Sequence, residues 1–179
     1  MKDYEFVKKG DLVSLRLSDE DDIPMIVEWR NKDRVRMNHV YREDFTVNGQ
    51  KAWKEKNIDT GKAVQFIICE NRPDRRIPRP VGVAHFHGID KEKGVAEYGL
   101  YIGEEDALGK GYANETAVLA LEYAKETLGL KKVILQAFAF NTIAIKSYLK
   151  AGFVKTADVS KVECSDGQKD DMIIMEKSL

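Results

Sequence analysis

Two glycines flank a lysine in Leu108-Gly109-Lys110-Gly111-Tyr112-Ala113, directly before a segment with helical periodicity. Glycine admits positive φ and lets a ligand approach the backbone closely. A helix opening there presents free N–H groups and the positive end of its dipole, and Lys110 adds a formal charge. A pyrophosphate is the natural guest, although a plain tight turn also explains the glycines. Spacing removes two nucleotide motifs. A Walker loop needs glycine, four residues, then Gly-Lys-Ser/Thr. Here five residues separate Gly103 from Gly109, and Gly111 stands where the magnesium-binding hydroxyl belongs. A dinucleotide fingerprint needs three glycines after the first strand of a βαβ unit, whereas this turn has two and comes late.

A second group of residues follows in Asn141-Thr142-Ile143-Ala144-Ile145-Lys146-Ser147-Tyr148, with Gly152-Phe153 beyond it. Ala144 and Tyr148 are four apart and share a helical face. A lone phenol there is ordinarily packing, yet the two motifs lie on consecutive helices and one ligand could touch both. Upstream, Glu97, Gly99 and Tyr101 share one face of a strand, as do His85 and His87. Glu97 reads either as a proton acceptor or as a paired carboxylate. No third ligand accompanies the two histidines, so no metal site is expected. Trp29-Arg30, with Arg34 and Arg36 beyond, suits contact with a substrate's phosphate or aromatic part. The alternative is a core tryptophan beside surface arginines.

These residues need a scaffold, and 179 residues suffice for one domain with its own core. The chain is 43% hydrophobic and 33% charged, with 29 basic and 30 acidic residues. Near-neutral total charge argues against bulk binding to nucleic acid or membrane. No apolar run approaches the ~20 residues of a membrane span. Cys69 and Cys164 read as reduced structural thiols, and no secretory pattern opens the sequence, so a cytoplasmic protein is expected.

Alternation predicts a strand over residues 11–17, others over 64–69, 81–87, 95–102 and 132–138, and two closing strands after Phe153. Helices are expected after Ser18, which would cap the first, after Thr46, after Gly111 and after Asn141. Ala113, Ala117, Leu121, Ala124 and Leu128 line one face of the third helix, and Gly129 suits its C-cap. The segment 71–80, with three prolines and four arginines, is expected to be an extended connection. Its arginines read as a clamp for phosphate or an acidic partner, or as a solvated loop.

The pairing of Leu108-Gly109-Lys110-Gly111-Tyr112-Ala113 with Asn141, Ala144, Tyr148 and Gly152-Phe153 resembles the GNAT N-acetyltransferase superfamily. Within it the chain is most similar to bacterial ribosomal-protein N-terminal and amino-sugar acetyltransferases. The resemblance covers nearly the whole chain. It implies one α/β domain over residues 1–179, a mixed, strongly twisted sheet of about six to seven strands flanked by about four helices.

It also implies acetyl-CoA as cosubstrate, with its pyrophosphate on the backbone of Leu108, Gly109, Lys110, Gly111, Tyr112 and Ala113. The pantetheine arm would pass between splayed strands at Leu100-Tyr101-Ile102 and Gln136-Ala137-Phe138, beside Asn141, Ala144 and Ile145. Where the family motif usually carries Gln or Arg, this chain carries Asp106. Tyr148 matches the family's general acid, and a phenol can donate a proton to a departing thiolate of pKa near ~8.5. Glu97 is the first candidate base, and Trp29, Arg30, His85 and His87 are candidate substrate contacts. The acceptor would be an amine: a protein N-terminus, a nucleotide-linked amino sugar or a small metabolite. No membrane or direct nucleic-acid partner is expected, and a homodimer is left open. The competing reading is a CoA-binding sensor or scaffold without turnover.

Overall fold

Near-continuous burial along central strands, with apolar side chains on both faces, requires helices on either side of one sheet. The computed structural model describes residues 4–74 and 78–179. Two strands open it, β1 (Lys8–Lys9) and β2 (Val13–Leu17), followed by a 3-10 turn over Glu20–Asp22. Helices α1 (Ile23–Asn31), α2 (Asp33–Arg36) and α3 (Val47–Asn57) come next. Then follow strands β3 (Ala63–Glu70), β4 (Arg79–Asp90) and β5 (Val95–Ile102), helix α4 (Tyr112–Glu126), strand β6 (Lys132–Phe138) and helix α5 (Thr142–Lys150). Strands β7 (Val154–Glu163) and β8 (Lys169–Ser178) close the fold.

The eight strands form one sheet in the order β1-β2-β3-β4-β5-β6-β8-β7. Along β3, Phe66 and Ile68 enter the cluster beneath α4 and α5, while Ile67 and Cys69 pack against Ile26 and Trp29 of α1. The two-residue β1 and the four-residue α2 are additions to the expected elements, too short to leave a periodic signal.

Several boundaries move by a residue or two. Asp19, not Ser18, caps the turn before α1: its carboxylate accepts from Asp21 N while Asp22 returns the bond to the Asp19 N–H. Ser18 instead donates to Gln65 Oε1 at 3.1 Å. Thr46 caps α3 through Gly49 N, as expected. Thr127 caps the end of α4, and Gly129 (φ 66°) reverses the chain two residues later. β4 begins at Arg79 rather than after Pro80. A bulge at Ile68/Cys69 places Pro80 opposite Cys69, which is where a strand tolerates a residue without an N–H. Arg75, Arg76 and Ile77 lie outside the described residues.

One pairing positions the site. All neighbouring strands are antiparallel except β5 and β6, whose parallel ladder covers only Val95–Glu97 against Lys132–Ile134. Beyond Glu97 the two strands diverge, while β5 stays paired to β4 and β6 to β8 through Phe138. The facing edges of Tyr98–Ile102 and Leu135–Phe138 therefore share no ladder.

Candidate active site

The glycine turn leads into α4. Gly109 (φ 72°) and Gly111 (φ 83°) both occupy the left-handed region, and Gly111 is the N-cap of α4 without any side-chain cap. A Cβ on Gly109 would meet nothing within 4 Å, so conformation rather than crowding calls for glycine there. The Tyr112 and Ala113 N–H groups that open α4 therefore have no capping side chain.

Around this turn the structure assembles charges that the sequence separates. Glu70, buried at the end of β3, accepts from Tyr112 Oη (2.6 Å), Arg72 Nε (2.7 Å) and Lys110 Nζ (3.3 Å). Burial would raise its carboxyl pKa, but these donors outweigh it and hold the group below its ordinary value. Arg79 donates to Asp106 at 2.9 Å, and this contact pulls the Asp106 pKa down to about 2. Asp106 therefore faces the turn as a neutralised partner of Arg79. Arg72 and Arg79 both come from segment 71–80, so two of its four arginines converge on the turn. Arg72 and Arg79 belong to the loop whose arginines offered a phosphate clamp or a solvated surface, whereas Glu70, which holds Arg72, had no place in the sequence reading. The signal for Glu70 was only its charge at the edge of a proline-bounded connection.

The candidate cofactor residues at the splay divide by face. Leu100, Ala144 and Ile145 pack with Tyr148 against the cluster that also holds Ile102. Tyr101 points to the opposite face, beside Ile26 and Trp29, so only its backbone belongs to the slot. Asn141 caps α5 by accepting from Ala144 N (3.2 Å), and its Nδ2 donates to Asn38 Oδ1 (2.8 Å). Tyr148 is 7% exposed, with edge contacts to Tyr98 (6.4 Å) and Phe153 (5.9 Å). Burial raises its phenol to about 12, so it stays protonated at neutral pH.

On the other face of the sheet lies a cavity of about 450 Å³, whose walls include Arg30, Gln50, Trp53, His85, His87 and Tyr101. The His85 ring lies over Gly99, where a Cβ would come within 2.8 Å of Cε1. It stacks on His87 with centroids 5.4 Å apart. His87 Nε2 is 3.7 Å from Glu97 Oε1, and Glu97 also accepts from Gln136 Nε2 at 3.3 Å. The β4–β5 register is regular from His87↔Glu97 to Gly82↔Ile102, so Glu97, Gly99 and Tyr101 do share a face. Burial, with His87, His39 and Arg30 nearby, drives His85 down to about 3. Burial and Arg30 drive His39 to about 4. Both imidazoles are neutral near pH 7. Among the described residues no group of three His, Cys, Asp or Glu side chains converges as a metal site.

Arg30 lines this cavity, whereas its neighbour Trp29 packs away from it. Trp29 is 1% exposed, covers Gly103, and donates from Nε1 to Glu104 at 2.6 Å. Trp29 thereby ties α1 to the end of β5.

A glycine turn at a helix start, a slot between diverging parallel strands and a cavity behind it fit the acetyltransferase (GNAT) domain, whose profile matches residues 13–154. The chain belongs to the GNAT acetyltransferase family. It is an N-acetyltransferase that takes its acetyl group from acetyl-CoA. A GNAT relative, the SPbeta prophage-derived uncharacterized N-acetyltransferase YokL of Bacillus subtilis, is 26% identical over 158 residues, covering 88% of this chain and 85% of YokL. Among solved structures, the GNAT fold here is similar to spermidine N-acetyltransferase from Vibrio cholerae in complex with CoA and spermine. That likeness has a TM-score of 0.81 at 22% identity, over 94% of this chain and 96% of the other. A dodecameric structure of the Vibrio cholerae enzyme matches with a TM-score of 0.76 at 20% identity, over 94% and 95% of the two chains. Among the described residues no helix is long and apolar enough to cross a membrane.

Proposed function

We propose that residues 1–179 act as one GNAT domain that acetylates a primary amine entering from the cavity face, with Tyr148 as general acid and Glu97 as base. The observation that carries this reading is the end of the β5–β6 ladder at Glu97 and Ile134. It opens a slot with Tyr148 on one side of the sheet and the cavity on the other.

The residues present fit acetyl-CoA. Backbone N–H groups from Gly109 to Ala113 can hold its pyrophosphate, with Lys110, Arg72 and Arg79 adding positive charge close by. The β6-facing backbone of Leu100–Ile102 joins no strand ladder and can bond an extended arm, except at the Ile102 carbonyl, which accepts from Arg34. Acetyl-CoA supplies the activated thioester. Backbone N–H groups on that open edge are the donors available to its carbonyl. Glu97, beside His87, accepts the proton an ammonium must lose before it can attack. Tyr148 keeps its proton at neutral pH and can give it to the departing sulfur.

Asp106 is the residue that favours the sensor reading, and its pairing with Arg79 removes most of that weight. Tyr148→Phe tests the assignment. Turnover at saturating amine should fall by about 10²-fold, within the usual range for a lost general acid, while acetyl-CoA affinity stays unchanged. Equal turnover in the two proteins would remove the role. Absence of CoA thiol release with every amine tried, despite tight acetyl-CoA binding, would favour the sensor.

A further inference from the structure

Arg30, in the last turn of α1, is 8% exposed and forms part of the cavity wall. Its guanidinium lies 4.5 Å from the centre of the Phe45 ring and 6.0 Å from that of Tyr101. Nη1 is buried and makes no hydrogen bond with any described residue. Arg34 and Arg36 likewise leave a buried Nε without a hydrogen bond, but they and Arg42 each bond elsewhere. Arg34 donates to the carbonyls of Ile102 and Gly103, Arg36 meets Asp44 at 2.9 Å, and Arg42 meets Asp170 at 2.9 Å.

A buried cation without a counter-charge is costly, and native structures rarely leave one without a reason. Burial accordingly pushes the Arg30 pKa down, although a guanidinium remains charged at any working pH. Gln50, 3% exposed, presents an amide on the same cavity wall. Among the described residues lining the cavity there is no carboxylate, and His39 and His85 carry no charge near pH 7. The same cavity reaches His87, which lies 3.7 Å from Glu97. An amine and an anion thus have separate destinations in one space.

We infer that the acetyl acceptor is an amine whose body also carries an oxyanion, a carboxylate or a phosphate, seated on Arg30 with the Gln50 amide as a second, neutral contact. The inference rests on the proposed transfer to an amine and narrows the substrate class. Planar guanidinium donors suit both oxyanions, and the Phe45 and Tyr101 rings hold the fork in place. A polyamine offers Arg30 nothing to bind and adds further positive charge to a cavity that already holds one.

Calorimetry on the CoA-loaded protein tests this without requiring turnover. The ligands are glycylglycine against glycylglycinamide, glucosamine 6-phosphate against glucosamine, and spermidine. At least one anionic ligand should bind about tenfold or more tighter than its neutral match and than spermidine, as expected for a charge-assisted hydrogen bond. The dipeptide and sugar pairs show which oxyanion is preferred. Arg30→Gln should bring the anionic-to-neutral ratio close to one, whereas Arg30→Lys should retain most of it. Gln50→Leu should weaken the preferred anionic ligand more than its neutral match, and it serves if Arg30→Gln does not fold.

Equal or tighter binding of spermidine or of the neutral ligands overturns the inference. So does failure of both anionic ligands to bind, or a preference that survives Arg30→Gln. Thiol release with the same ligands is read separately. Selective binding without release would refute the transferase reading while leaving the anion site standing.

Discussion

Gly103 and Trp29 show how one missing methyl group sets the site. A Cβ on Gly103 would sit 2.2 Å from Trp29 Cγ, against a ring that is 1% exposed and already bonded to Glu104. Neither partner can yield cheaply in a close-packed interior. Gly103→Ala should therefore destabilise the protein by about 1–3 kcal/mol, read as a lower urea midpoint. A wild-type midpoint would mean that α1 is free to shift. Gly99 does similar work for His85, whose ring occupies the space of the missing side chain. Alternation made the shared face of Glu97, Gly99 and Tyr101 legible. The ring over Gly99 was not legible, because it depends on the β4–β5 register.

Among the elements, the connection from β3 to β4 and the turn before α4 act together. Glu70 and Asp106 hold Arg72, Arg79 and Lys110 beside the first turn of α4, whose own carboxylate, Glu115, is taken up by the backbone N–H groups of Asp11, Leu12 and Val13. Removing a cation should weaken anion binding, and removing a carboxylate should strengthen it. Arg79→Gln should raise the Kd for acetyl-CoA several-fold, and Asp106→Asn should lower it. Both effects should shrink as salt rises toward 0.5 M, because the pair is solvent-facing. Titration of acetyl-CoA at two salt concentrations checks this. A higher Kd in both variants would show instead that the Arg79–Asp106 pair acts as a unit. In the sequence Arg79 and Asp106 stand 27 positions apart, with no spacing rule to connect them.

For the molecule as a whole, the half-buried histidines of the cavity wall set a pH limit on stability. Burial lowers His85 to about 3 and His39 to about 4, from an ordinary value of 6.5 that the unfolded chain regains. Between those limits the unfolded state binds protons that the native state refuses, so stability rises with pH. It is fully present above about pH 7 and declines as pH falls through 6.5 toward 4. Urea midpoints should be lower at pH 5.0 than at pH 7.5, a window above the titration of the paired carboxylates Glu70 and Asp106. His85→Gln should flatten the difference. Equal wild-type midpoints at the two pH values would show that the imidazoles are reached by solvent.

The sequence by itself determined the order of the main elements, the glycine turn before α4 and the tyrosine on α5, because these follow from local periodicity and from which residues tolerate positive φ. It left open whether Trp29 and Arg30 faced core or substrate, since one helix turn carries both directions. Only the tertiary structure decided that Trp29 packs on Gly103 while Arg30 lines the cavity. It also brought two loop arginines to the glycine turn and ended the β5–β6 ladder at Glu97. Each of these depends on strand register and on charges meeting across long separations, which composition and spacing do not encode.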